Sequence, residues 1–238
     1  MQTSLQQFSE TQSTEAFALQ NSKLLKVRLD QGTIQAKLGS MVAYQGEVSF
    51  EHAGSGGMSR MLKKAVTGEG ASMMRMTGTG EVFLADLAQD VHLLYLENEK
   101  ITVNSANLLA FDADIDWDIE RVKGASGMVG GGLFNTSLMG SGYVAVVSDG
   151  PPVMLDVASA PTFADAQAAI TWSDGVSTSI RTDFKALKNL TGRASGETIQ
   201  MGFSGNGWVL VQPSEGRVDA AVGNSGGSGG VLGNLLNG

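Results

Sequence analysis

Cysteine is absent from the 238 residues, and histidine occurs only twice, as His52 and His92. The first absence excludes disulfides, thiol nucleophiles and thiolate metal sites. The two histidines stand 40 positions apart, in neither H-x-x-x-H nor H-E-x-x-H spacing, so no metal or cofactor site is expected. Proline is scarce, with 4 residues. Apolar runs are short, and none approaches the roughly 20 residues of a membrane-spanning helix. Residues 1–20 lack the basic start and the apolar run of about 7–15 residues that a signal peptide needs, so a cytoplasmic location is expected. Positive charge is also in short supply: 16 basic against 24 acidic residues give a net charge of −8. That is the wrong sign for a phosphate-rich partner, and no nucleic acid is expected.

Glycine, by contrast, is abundant at 32 residues. It is organised in a motif that occurs three times. Thr77-Gly78-Thr79-Gly80-Glu81-Val82 recurs as Met139-Gly140-Ser141-Gly142-Tyr143-Val144 and as Ser204-Gly205-Asn206-Gly207-Trp208-Val209. The first glycines, at 78, 140 and 205, are spaced by 62 and 65 residues. A near-constant period of this size marks one structural unit used three times. A second motif interleaves with it: an alternating apolar pair, a short apolar knot, then a segment ending in an aromatic. Its copies are Ile34-x-Ala36 with Met41–Tyr44 and Phe50, Ile101-x-Val103 with Leu108–Phe111 and Trp117, and Leu155-x-Val157 with Phe163-Ala164 and Trp172.

These patterns predict an all-β fold of three pseudo-repeats, about 24–91, 92–150 and 151–216, packed around a pseudo-threefold axis. Phe50, Trp117 and Trp172 are expected at equivalent positions. A polar N-terminal segment (1–21) would precede a single β domain (22–216), and a glycine-rich flexible tail (217–238) would follow it. Helical patterning is confined to Arg60–Val66, which suits about two turns, and Ala164–Ala169, which suits one turn or a loop. The glycine pairs are read as bends where the backbone takes positive φ or approaches a neighbour. A dinucleotide fingerprint needs a third glycine and a following helix, and a P-loop needs Gly-Lys-Ser/Thr, which no copy has.

Candidate catalytic groups are few. Gly223-Asn-Ser225-Gly-Gly227 fits G-x-S-x-G, but no strand pattern precedes it. The ladder Asp112-Ala-Asp114-Ile-Asp116-Trp-Asp118 resembles the start of a calcium loop. However, Trp117 and Lys123 stand where that loop needs glycine and glutamate. It is read instead as a strand with a wet acidic face and a packed apolar face. The richest surface chemistry is Met58, Arg60, Met61, Leu62, Lys63 and Lys64, a basic and apolar cluster in an acidic chain. Its counterpart in the second unit contains Leu133 and Phe134. Both are candidates for self-association or contact with a lipid surface.

The stretch Gly39-Ser-Met-Val-Ala-Tyr-Gln-Gly-Glu-Val48, the segment Gly56-Gly57-x-x-Arg60, the turn Thr77–Gly80 and the knot Leu108–Ala110 together resemble the altered-inheritance-of-mitochondria (Aim24-type) family. The resemblance covers about Ser22 to Gly216. It implies a double-stranded β-helix or β-sandwich like that of the tryptophan RNA-binding attenuator protein, and a bacterial member of a family without assigned catalytic residues. The expectation is therefore a non-enzymatic scaffold or interaction protein that forms homo-oligomers, binds an unknown protein partner and touches a membrane peripherally. The alternative is a small-ligand-binding or cupin-like enzymatic barrel.

Overall fold

The structure, a computed structural model, describes residues 4–52, 72–121, 134–181 and 200–214. Its strands are β1 (Phe17–Asn21), β2 (Leu24–Lys37), β3 (Met41–His52), β4 (Met73–Leu84), β5 (Asp90–Asn104), β6 (Leu108–Asp112) and β7 (Asp116–Arg121). Then follow β8 (Phe134–Ser148), β9 (Val153–Asp156), β10 (Thr162–Asp165), β11 (Ala169–Ser173), β12 (Val176–Arg181), β13 (Gln200–Gly205) and β14 (Trp208–Val211). Two short 3₁₀ turns, Ser4–Phe8 and Ser105–Asn107, are the only helical elements among the described residues. The protein is all-β. The reason is visible in β2, where Leu25, Val27 and Leu29 are buried while Arg28 and Asp30 point to solvent.

The main sheet runs β3-β4-β2-β6-β8-β5-β11-β14-β9, with β1 added to β2 and β7 to β8. A second sheet runs β10-β13-β12. Every pairing is antiparallel. The strand order is open, from β3 at one end to β9 at the other, and no closed barrel forms among the described residues.

Corresponding pairs recur along this order. Tyr44 of β3 faces Val82, Phe111 of β6 faces Val144, and Trp172 of β11 faces Val209. A register shift precedes each pair, between Met41 and Ala43, Leu108 and Ala110, and Ala169 and Thr171. On the other side of the central strand, Ile34 faces Met76, Ile101 faces Leu138 and Thr162 faces Phe203. Two further bulges match: Gln31 (φ 52°) interrupts β2 opposite β4, and Asn98 (φ 57°) interrupts β5 opposite β8.

The sequence expectation for the aromatics needs correction. Phe50 faces Met76 and Trp117 faces Leu138, two residues before a glycine pair in both cases. Trp172 instead faces Val209, so it stands in the place of Tyr44 and Phe111, while Thr178 faces Phe203 where an aromatic was expected. Apolar knots look alike in sequence, and the knot of the third unit is Ala169–Trp172, not Phe163-Ala164. The acidic ladder is likewise not one strand. Asp112 ends β6, the Ile115 amide turns back to the Asp112 carbonyl (3.1 Å), and β7 begins at Asp116. Of Ala164–Ala169, only residues 166–168 form a turn, between β10 and β11, with the Gln167 amide donating to the Asp165 carboxylate at 2.7 Å.

The glycine pairs act where strands approach closely. Gly80 has φ 155°, and a Cβ there would run into the carbonyl oxygen of Gln45 in β3. Three apolar clusters form the core. One gathers Leu25, Val27, Met76, Val82 and Val147; the second Ile101, Phe111, Trp117, Leu138 and Val144; the third Trp172, Met201, Phe203 and Val209.

Candidate functional site

Of the surface expected from the sequence, only Phe134 lies among the described residues; Met58, Arg60, Met61, Leu62, Lys63, Lys64 and Leu133 lie outside them. Phe134 opens β8 opposite Arg121 and is half-buried. The glycine-rich tail, the Arg60–Val66 segment and Ser225 also fall outside the described residues.

Among the described residues, a shallow cleft of about 250 Å³ lies between the N-terminal segment and β2. Its polar lining comes from Thr14, Arg28, Asp30, Thr33 and Asp112. Asp112 is half-buried, and burial pushes its carboxyl pKa up. The amide of Tyr143 donates to its Oδ2 at 2.7 Å, which opposes that shift, and nearby Asp114 adds to it. Gly142 leaves the room for this contact, since a Cβ there would meet the Asp112 carboxylate. Beside the cleft, the Tyr143 ring stacks on Phe17 (5.3 Å between centroids) and meets Tyr95 edge-on (4.9 Å). Its hydroxyl donates to Glu15 at 2.9 Å, and that hydrogen bond raises the phenol pKa.

This arrangement can hold a small polar group but contains no nucleophile paired with a base. His92 is not part of the cleft lining: it sits in β5 with Nε2 2.7 Å from Ser148 Oγ, and burial lowers its pKa. No group of three or more His, Asp or Glu that could hold a metal forms among the described residues.

Among the described residues, Lys26 is the most buried charge, 5% exposed on β2. Its Nζ lies 2.8 Å from Glu81 and 3.4 Å from Glu10, and the Glu81 hydrogen bond holds its pKa up. The hydrogen bond from Gln45 draws the Glu10 pKa down. These contacts tie the N-terminal segment across β2, β4 and β3.

Sequence reasoning did not find the sheet edges. Met41, Val42, Tyr44 and Phe50 are exposed on β3, and Val153 and Met154 on β9. Val42 reaches 63% and Tyr44 48% exposure. The same apolar knots are buried in the other units, so residue type alone carries no signal of this difference.

Fold and site thus describe an all-β protein of antiparallel sheets with two apolar edges and no assembled catalytic group among the described residues. The chain belongs to the family described as mitochondrial biogenesis AIM24, whose model matches residues 17–214. A crystal structure of a Streptococcus pyogenes protein is similar in fold, with a TM-score of 0.64 and 21% identity over 83% of this chain and 92% of that one. No curated protein matches the chain in sequence.

Proposed function

We propose that the protein is a non-enzymatic scaffold of its family that works by self-association. The observation that carries this reading is the row of exposed apolar side chains on β3, on an edge with no strand beyond it among the described residues. Such an edge offers unused backbone donors and acceptors beside apolar side chains, which is how one folded chain recruits another. The finer architecture belongs to the same reading: three copies of one strand triplet, each with a central strand bearing the Gly-x-Gly motif. The recurring registers support it. Contact with a protein partner or an anionic membrane surface is the work assigned to the basic segment Arg60–Lys64.

Light scattering on the purified protein over a hundredfold dilution tests the reading. The expected result is a mass several times that of the chain, falling towards one chain at the lowest concentrations. A single-chain mass at every concentration overturns it. Changing Met61 and Leu62 to serine should weaken binding to vesicles containing anionic lipid, and unchanged binding would remove the membrane part.

A further inference from the structure

Part of β2 has a strand on one side only. β4 takes one edge of β2 from Leu25 to Lys37. The other edge is shared. β1 and the residues before it cover it up to Arg28, whose amide donates to the Ala16 carbonyl at 2.8 Å. β6 covers it from Ile34, which faces Asp112 in a joint that continues through Gln35–Phe111 and Ala36–Ala110. Between the two, no strand pairs with this edge among the described residues. The bulge at Gln31 (φ 52°) falls there, and the cleft of about 250 Å³ occupies the gap.

Three charged side chains line the cleft, Arg28, Asp30 and Asp112, and the fold neutralises none of them. Lys26 and Lys37, the other cations of β2, lie 2.8 Å from Glu81 and 2.6 Å from Asp86. Among the described residues, the side chains of Arg28 and Asp30 have no ionic or hydrogen-bonding partner. Asp112 is half-buried, and the hydrogen bond it accepts comes from the Tyr143 amide rather than from a cation. A carboxylate partly withdrawn from water gains from a cation beside it. Nor does the strand pattern require these charges. Tyr95 faces Tyr143 as Arg28 faces Glu81, each directly after a glycine pair. Ser173 faces Ile101 in the β5–β11 joint, where Asp112 faces Ile34 in the β2–β6 joint. A phenol and a hydroxyl thus serve at the same register positions.

We propose that this cleft binds a free α-amino acid with an aliphatic side chain, its carboxylate on Arg28 and its ammonium group on Asp112 and Asp30. The site goes beyond self-association and does not rest on it. The planar guanidinium of Arg28 matches a carboxylate in shape and charge. The apolar side chain lies against Phe17, Leu29 and Ile34, which complete the lining. A zwitterion answers both signs of charge at once. An amine alone leaves Arg28 without a partner, and a carboxylic acid alone meets two carboxylates with nothing to offer them. The volume is below the roughly 300–1,000 Å³ of pockets for drug-sized molecules, which suits a ligand of metabolite size.

L-Leucine is the probe, with isoamylamine and isocaproate as analogues that each lack one of its charges. Saturation-transfer NMR on the full chain reads the binding of all three. The expected result is saturable transfer to leucine with a Kd of about a millimolar, and affinity roughly tenfold lower for each analogue. Arg28→Met should weaken leucine about threefold or more and leave isoamylamine unchanged. Asp112→Asn keeps an acceptor oxygen for the Tyr143 amide; it should weaken leucine roughly tenfold and leave isocaproate no weaker. Gly32→Leu blocks the cleft without touching its charges. A Cβ at Gly32 meets only the Asp30 amide nitrogen, at 3.7 Å, so the added side chain has room, and leucine transfer should vanish.

No saturable transfer to leucine at about 10 mM overturns the proposal. So does either analogue binding as tightly as leucine, because the cleft would then be a site for a single charge. Leucine binding that survives Gly32→Leu, in a variant whose circular dichroism matches the wild type, puts the ligand elsewhere and overturns it as well. Should that variant not fold, the double change Asp30→Asn with Asp112→Asn removes the ammonium end at nearly constant volume. Unchanged leucine affinity there has the same consequence.

Discussion

β3 and β6 meet their central strands in the same register and carry the same kind of apolar knot, yet Tyr44 is half-exposed and Phe111 is fully buried. The difference lies in what stands beyond them. Phe111 faces Gln35 of β2 across a joint, while β3 ends the strand order. Burial here is a property of position in the order of strands, not of the residue. The two strands also differ in continuity. β3 passes its midpoint unbroken because Gly46 faces Gly80, whereas the β6 and β7 segments are separated by a turn at 113–115. That turn places the Asp112 carboxylate on the Tyr143 amide.

The largest expected effect tests this contrast directly. Phe111→Ala should destabilise the protein by about 3–5 kcal/mol, as for other fully buried aromatics. Tyr44→Ala loses an edge-to-face contact with Phe50 at 5.1 Å, which costs only about 0.5–1.5 kcal/mol. Chemical denaturation of dilute protein measures both. Equal losses would mean that the β3 edge is already covered in the isolated chain.

A smaller effect separates the two glycine pairs. Gly80→Ala and Gly142→Ala impose similar backbone strain, since φ is 155° and 145°; strain of this kind costs about 1–3 kcal/mol. At Gly80 the new methyl also meets backbone of β3, whereas at Gly142 it meets the Asp112 side chain, which can rotate away. The Gly80 variant should therefore show the lower melting temperature. The reverse order would place the tighter approach in the second triplet.

Lys26 has Leu93 as its counterpart in the second triplet, facing Ala145 as Lys26 faces Phe83. Lys26→Met strands Glu81, which is one-quarter exposed, and should cost about 1–2 kcal/mol. A stabilised Lys26→Met protein would show that the ion pair only compensates for its own burial.

The smallest effect is a pH dependence. His92 faces Val146 where Leu25 faces Leu84. Burial lowers its pKa below the ordinary 6.5, so the unfolded chain binds the proton more tightly than the folded one. Stability should then fall as pH drops through 6.5 and level off below the folded pKa. His92→Leu should flatten the curve between pH 7 and 5. A parallel curve for the variant would assign the loss to other groups.

The strand character of the chain was legible in its period-2 segments, and the Gly-x-Gly motifs marked positions where strands approach closely. The register of the third triplet was not legible. Phe163-Ala164 and Ala169–Trp172 are both short apolar knots, and only the pairing of Trp172 with Val209 decides between them. Nothing local in the sequence marks Lys26, because its partners Glu10 and Glu81 lie 16 positions before it and 55 after it. The exposed edge was hidden for a similar reason. Whether a strand has a neighbour depends on where the order of strands stops, which local sequence does not encode. The basic and apolar segment Met58–Lys64 lies outside the described residues.

The open order of strands also sets a sequence in time. β8 is flanked by β6 and β7 on one side and β5 on the other, and β5 in turn is backed by β11. Local opening of the main sheet must begin at its ends, β3 or β9, and work inwards, because interior ladders cannot separate before their neighbours do. Deuterium should therefore enter the amides of the outer strands first and those of β5 and β8 last, so that the oldest protons in a labelled sample mark the middle of the chain.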